Sequence, residues 1–218
     1  LLKTQNYELI TNFDEADVII FNTCSVRQHA EDKVWSEVGR ILKVRSKKAK
    51  GKSEVKKPII GIVGCMAQNY KDSIFERAPQ VDFVVGPSDI AKIPEIITKF
   101  VNRPSFLTHQ NLYATKIWET EGASRPEEIY HTGFHEEQEH AYVVISEGCS
   151  NYCSYCVVPF VRGELHNRHY QEILKEIEEA IEKGITKITL LGQNVNAYEN
   201  NGVDFVKLIE SVNVVKGL

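Results

Sequence analysis

The residues best suited to chemistry in this 218-residue chain are three cysteines crowded into eight positions: Cys149, Cys153 and Cys156. Their C-x3-C-x2-C spacing puts three thiols on one short segment, Gly148-Cys149-Ser150-Asn151-Tyr152-Cys153-Ser154-Tyr155-Cys156. A [4Fe–4S] cluster ordinarily takes four cysteine thiolates. Three thiolates leave one iron without a protein ligand, able to bind a small molecule directly. A structural zinc site prefers four ligands and usually two cysteine pairs. The sequence offers no second pair, so zinc would need a histidine such as His166 or His169 to complete its shell.

Two further cysteines stand alone upstream. Cys24 follows Val18-Ile19-Ile20-Phe21-Asn22-Thr23, and Cys65 follows Ile59-Ile60-Gly61-Ile62-Val63-Gly64. Both preceding runs read as buried strands, apolar on both faces as in a parallel sheet. In an open α/β sheet, ligands gather outside the carboxyl ends of the strands. The two thiols therefore point to one place; the alternative is a pair of buried cysteines acting as small hydrophobes. Five cysteines cannot all pair, and Leu1-Leu2-Lys3-Thr4-Gln5 has no signal pattern, so the thiols read as reduced and the chain as cytoplasmic.

The elements that must position these residues follow from periodicity. Val34, Val38, Ile41 and Leu42 recur at helical spacing, as does the stretch from Asp72 to Arg77; Val81 to Val85 reads as a third strand. Ser88-Asp89 offers a cap for a helix ending near Phe100. This is a doubly wound parallel α/β pattern over residues 1–101. Residues 102–140 show little periodicity and read as a linker, with His135 to His140 a solvated run rather than a metal site. From residue 141 to 218 the order is strand (Ala141 to Ile145), cysteine loop, helix (Ile173, Leu174, Ile177, Ala180, Ile181, stopped by Gly184), strand (Ile185 to Leu191), turn and helix (Phe205, Leu208, Ile209, Val212). Two such β/α units begin a parallel barrel and do not close one.

Composition sets bounds on the function. Hydrophobic residues are 42% and charged residues 26% of the chain, as in ordinary globular domains. No apolar run reaches the ~18–20 residues of a membrane span. A net charge of −4 excludes a generally basic nucleic-acid coat, so any RNA contact must be local. One local candidate exists: Lys43 to Lys57 holds eight basic residues in fifteen. Gly51 and Ser53 make it a loop that either is simply solvated or binds phosphate; without interleaved aromatics it would position RNA rather than read it.

The C-x3-C-x2-C segment with Tyr155 before the last cysteine, on the loop after the first strand of a β/α unit, resembles radical S-adenosylmethionine enzymes. Asn22-Thr23-Cys24-Ser25-Val26-Arg27, Gly64-Cys65-Met66-Ala67-Gln68, the run Gly148 to Gly163 and Leu190-Leu191-Gly192-Gln193-Asn194-Val195-Asn196-Ala197-Tyr198 narrow this to a resemblance to radical S-adenosylmethionine methylthiotransferases. Ser25-Val26-Arg27 leans toward the members that modify tRNA.

The resemblance implies two [4Fe–4S] clusters and S-adenosylmethionine. Cys149, Cys153 and Cys156 would hold the radical cluster. Cys24 and Cys65 would be two of three ligands of an auxiliary cluster, whose remaining cysteine is expected upstream of Leu1. Tyr155, Gln193 and Asn194 would contact S-adenosylmethionine. Arg162 and Arg168 resemble two arginines of the family, the second in a segment that departs from the family's pattern by reading Asn167-Arg168-His169; Arg162 would either neutralise a carboxylate or reach RNA phosphate. The implied activity is insertion of sulfur and a methyl group at C2 of N6-isopentenyladenosine beside the anticodon of tRNA. The resemblance also implies recognition of the anticodon stem-loop, an electron donor such as flavodoxin or ferredoxin, no membrane attachment, and a monomer. The alternatives are the same chemistry on threonylcarbamoyl-adenosine or a ribosomal-protein aspartate, and a non-enzymatic iron–sulfur or zinc module.

Overall fold

The computed structural model describes residue 2 and residues 7–48, 58–102, 116–120 and 139–217. The chain divides into two units, Leu1–Arg125 and Pro126–Leu218.

In the first unit, strands β1 (Val18–Thr23), β2 (Ile59–Gly64), β3 (Phe83–Val85) and β4 (Ile117–Glu119) form one parallel sheet in the order β1-β2-β3-β4. The side-chain period of two sends alternate residues to opposite faces. Ile60, Ile62 and Val84 pack with Val38 of helix α1 (Gln28–Lys48), Met66 and Ala67 of α2 (Cys65–Tyr70), and Ile74 and Phe75 of α3 (Ser73–Arg77). Val63, Phe83 and Val85 face the other way, onto Ile93, Ile96 and Ile97 of α4 (Ile93–Val101). Both faces are thus covered by helices, which is why the strands are apolar throughout.

Three details differ from the sequence reading. β4 lies inside the stretch 102–140 that reads as linker; three residues are too few to show a period, and pairing Phe83 with Ile117 across the sheet is a long-range choice. Ser88-Asp89 does not cap a helix. Pro87–Lys92 is a 3-10 turn leading into α4, and the Asp89 carboxylate, 3% exposed, bonds Lys92 Nζ at 2.8 Å. Helix α1 continues to Lys48 and so takes in the start of the basic run; residues 49–57 of that run, and residues 135–138 of the run His135 to His140, lie outside the described residues.

In the second unit, β5 (His140–Val144) pairs in parallel with β8 (Lys187–Leu191). Between them come β6 (Ser146–Glu147), α5 (Val158–Arg162), β7 (His166–Asn167) and α6 (Tyr170–Glu182). After β8 the chain forms a separate small antiparallel pair, β9 (Glu199–Asn200) and β10 (Val203–Asp204), and then α7 (Phe205–Asn213). Ile173 and Ile177 of α6, four residues apart on one face, are fully buried against Val143, Ile145 and Leu208. The Asp204 carboxylate caps α7 by accepting from the Lys207 N–H at 2.9 Å. The two β/α units expected from the sequence are present.

Candidate iron–sulfur and S-adenosylmethionine site

The cysteine loop is closed at its neck by backbone pairing. β6 and β7 run antiparallel, Ser146 opposite Asn167 and Glu147 opposite His166. Just beyond this pair the Cys149 N–H donates to the Gly163 carbonyl at 3.1 Å. Gly148 has φ +74°, and a Cβ there would overlap the Glu164 carbonyl, so the two sides of the neck meet only because this residue is glycine. One turn further in, the Leu165 N–H donates to Ser150 Oγ at 3.0 Å. The ion pair of Arg162 Nη1 with Glu147 Oε1, at 3.2 Å, stands at the same neck.

Inside this closure the three thiols share one loop. The Cys156 N–H donates to the Cys153 carbonyl at 2.9 Å, so Cys153-Ser154-Tyr155-Cys156 is a tight turn with a cysteine at each end. Cys153 is exposed, Cys149 and Cys156 half-buried, and Tyr155 is 90% exposed at the tip of the turn. Tyr152 meets Phe160 edge-on, with ring centroids 6.2 Å apart. No cysteine of the chain is in a disulfide. Among the described residues no three Cys, His, Asp or Glu side chains are gathered into a group that could hold a metal ion, so the three thiols are placed on one loop without being drawn together. The fit to iron therefore rests on the donor set: three thiols of one closed loop suit an iron–sulfur cluster.

Gln193 and Asn194 leave β8 at the same end at which the cysteine loop leaves β5. The last parallel pair is Val144 with Leu191, and the Ile145 N–H donates to the Leu191 carbonyl at 2.8 Å. Gly192 lies against Ser146 Oγ, where a Cβ would overlap the hydroxyl. That hydroxyl is buried, the residue being 1% exposed, and it finds no hydrogen-bond partner among the described residues. Gln193 is exposed and Asn194 half-buried. Strand ends, cysteine loop and Gly192 turn thus converge, as ligand sites in parallel α/β folds do.

The two arginines separate in role. Arg162 pairs with a carboxylate, Glu147. Arg168 is 3% exposed and bonds the Val144 carbonyl at 2.6 Å and Glu176 Oε2 at 2.7 Å, inside the unit and away from any phosphate in solvent. Nothing in the spacing of the sequence marks Glu147, Ser146 or Glu176, because each acquires its partner only across the folded unit.

In the first unit Cys24 and Cys65 directly follow Thr23 and Gly64, which are register partners across β1 and β2. Gly64, at φ +94°, turns the chain from β2 into α2, whose first residue is Cys65. Cys65 is fully buried and Cys24 exposed, with the Val26 N–H donating to Cys24 Sγ at 3.4 Å.

Comparison with known proteins agrees with both halves. Residues 1–86 match the family described as "Uncharacterized protein family UPF0004", and residues 143–216 match the radical SAM superfamily. A tRNA-2-methylthio-N(6)-dimethylallyladenosine synthase of Rickettsia canadensis is 38% identical over 204 residues, 94% of this chain and 43% of that protein. The proteins of the same name from Albidiferax ferrireducens and Rickettsia felis are 36% and 37% identical, over 98% and 94% of this chain and 46% and 43% of their own lengths. The chain spans less than half the length of the curated relatives it matches.

Proposed function

From the match of residues 1–86 to the UPF0004 family and of residues 143–216 to the radical SAM superfamily, we propose that this chain serves tRNA methylthiolation. The reaction would place sulfur and a methyl group at C2 of N6-isopentenyladenosine beside the anticodon. The observation that carries the reading is the cysteine loop, closed by Gly148 and by Glu147–Arg162 at the strand end where Gly192-Gln193-Asn194 also emerges, in a chain that aligns over 94% of its length with a synthase of that name.

Cys149, Cys153 and Cys156 hold a [4Fe–4S] cluster in this reading. Together with S-adenosylmethionine, that cluster supplies one-electron cleavage of a sulfonium, chemistry that belongs to the cofactor. The chain contributes position and shielding. The neck hydrogen bonds fix where the loop starts and ends, the Cys153–Cys156 turn spaces two donors, and Tyr155, Ser146, Gln193 and Asn194 offer polar contacts to S-adenosylmethionine. Cys24 and Cys65 serve as two ligands of an auxiliary cluster that carries the sulfur. The basic run from Lys43 to Lys57 binds RNA phosphate. A flavodoxin or ferredoxin supplies the electron, and the enzyme works as a cytoplasmic monomer. No helix among the described residues is long and apolar enough to cross a membrane.

Nucleoside analysis of tRNA from a strain lacking the gene tests this. Loss of the methylthio-isopentenyl adenosine, with the isopentenyl precursor accumulating, is the expected result. An unchanged profile overturns it, and loss of a methylthiolated threonylcarbamoyl-adenosine instead moves the same chemistry to the other nucleoside.

A further inference from the structure

Cys24 and Cys65 sit on different loops, and one side chain ties those loops together. Thr23, the residue before Cys24, is 7% exposed. Its hydroxyl donates to the Val63 carbonyl at 2.7 Å and accepts from the Met66 N–H at 3.2 Å. Val63 and Met66 are the residues on either side of Gly64-Cys65, so a single hydroxyl spans the turn that carries Cys65. Gly64 lets the turn come this close: a Cβ there would lie 2.6 Å from the Thr23 carbonyl oxygen and 3.2 Å from Asn22 Oδ1. Backbone pairing of β1 with β2 aligns the two strands up to Thr23 and Gly64 and stops there. Beyond that point the hydroxyl clasp ties the end of β1 to the turn that carries Cys65.

We propose that Thr23 is a positioning residue that fixes the Cys65 turn relative to Cys24, so that both thiols can serve one auxiliary cluster. The inference rests on the auxiliary-cluster reading above. Metal–donor distances are held to about 0.2 Å in working sites, and a turn that has lost both bonds to the neighbouring strand re-settles by more than that. Valine in place of threonine keeps the shape, removes both side-chain bonds, and leaves the Met66 N–H, next to the fully buried Cys65, without its acceptor, which drives the turn to rearrange. Serine keeps the hydroxyl and loses only a methyl group.

The test uses the full-length protein, reconstituted anaerobically with iron and sulfide, and reads iron per chain together with the electron paramagnetic resonance signals of the reduced clusters. Thr23→Val is expected to bind about half the iron of the wild type, as loss of one of two four-iron clusters requires. The signal that responds to S-adenosylmethionine is expected to persist, and Thr23→Ser to behave as wild type. Full iron content and both signals in Thr23→Val overturn the inference, as does the reverse pattern, in which valine is tolerated and serine is not. Loss of both clusters together in Thr23→Val assigns the residue to folding and overturns it as well. Cys24→Ala and Cys65→Ala are measured alongside: if neither lowers the iron content, the auxiliary-cluster reading itself has failed, a result distinct from the failure of Thr23.

Discussion

Arg162 and Glu147 face each other across the neck of the cysteine loop, Nη1 to Oε1 at 3.2 Å, each one residue before a glycine with positive φ, Gly163 and Gly148. Glu147 is nearly buried and Arg162 about a quarter exposed, so the pair is only partly screened by water. Arg162→Met is expected to lower stability by about 1 kcal/mol, the net value of a charge-assisted bond discounted for exposure. Urea unfolding measures the loss, and the iron-loaded form should show a larger one if the neck supports the loop.

Gly148→Ala is the harsher change at the same place. It combines a φ of +74° with a Cβ that overlaps the Glu164 carbonyl. A strained backbone costs on the order of 1–3 kcal/mol and the overlap adds to it. The expected outcome is a protein that folds in its first unit but loses iron from Cys149, Cys153 and Cys156. Iron analysis of the purified variant checks this.

Arg168 and Glu176 form an ion pair with both side chains 4% exposed. Removing one partner leaves a buried charge, which typically costs about 3–5 kcal/mol. Arg168→Met and Glu176→Gln should each destabilise strongly, measured by thermal unfolding, and the double variant should cost less than the two single losses added. A role on RNA phosphate would instead leave stability unchanged and weaken tRNA binding.

Legibility in the sequence follows the range over which each feature acts. β1, β2, β5 and β8 announce themselves as continuous apolar runs, and Ile173, Ile177 and Ala180 as a helical face. Cys24 and Cys65 fall one residue past strand ends, as the runs before them require. β4 was not readable, because Ile117–Glu119 becomes a strand only by lying beside β3, more than thirty residues earlier. The Thr23 clasp has the same origin: its partners Val63 and Met66 are 40 and 43 residues away. Arg168 was legible as a family arginine and not as the partner of Glu176, since burial is a property of the packed unit.

Tyr198 gives the fold a pH dependence at its alkaline end. The side chain is 1% exposed, its hydroxyl donates to the Arg168 carbonyl at 2.9 Å, and burial pushes its pKa up to about 12. Its unfolded value is about 10, so the unfolded chain gives up the proton first. The contribution of the neutral phenol is complete below about pH 10 and is lost as the pH rises toward about 12. Denaturant unfolding across this range should show a steeper decline for the wild type than for Tyr198→Phe, which lacks the titrating group. Equal slopes would place the phenol in water in the folded state.

In the proposed function Cys149, Cys153 and Cys156 hold a cluster with an iron open to S-adenosylmethionine. Electron paramagnetic resonance of the anaerobically reconstituted, reduced full-length protein, recorded before and after adding S-adenosylmethionine, tests it directly. The expected result is a [4Fe–4S] signal that changes on addition and is absent from Cys153→Ala. A spectrum indifferent to S-adenosylmethionine, or zinc filling the three-cysteine loop in place of iron, would contradict it.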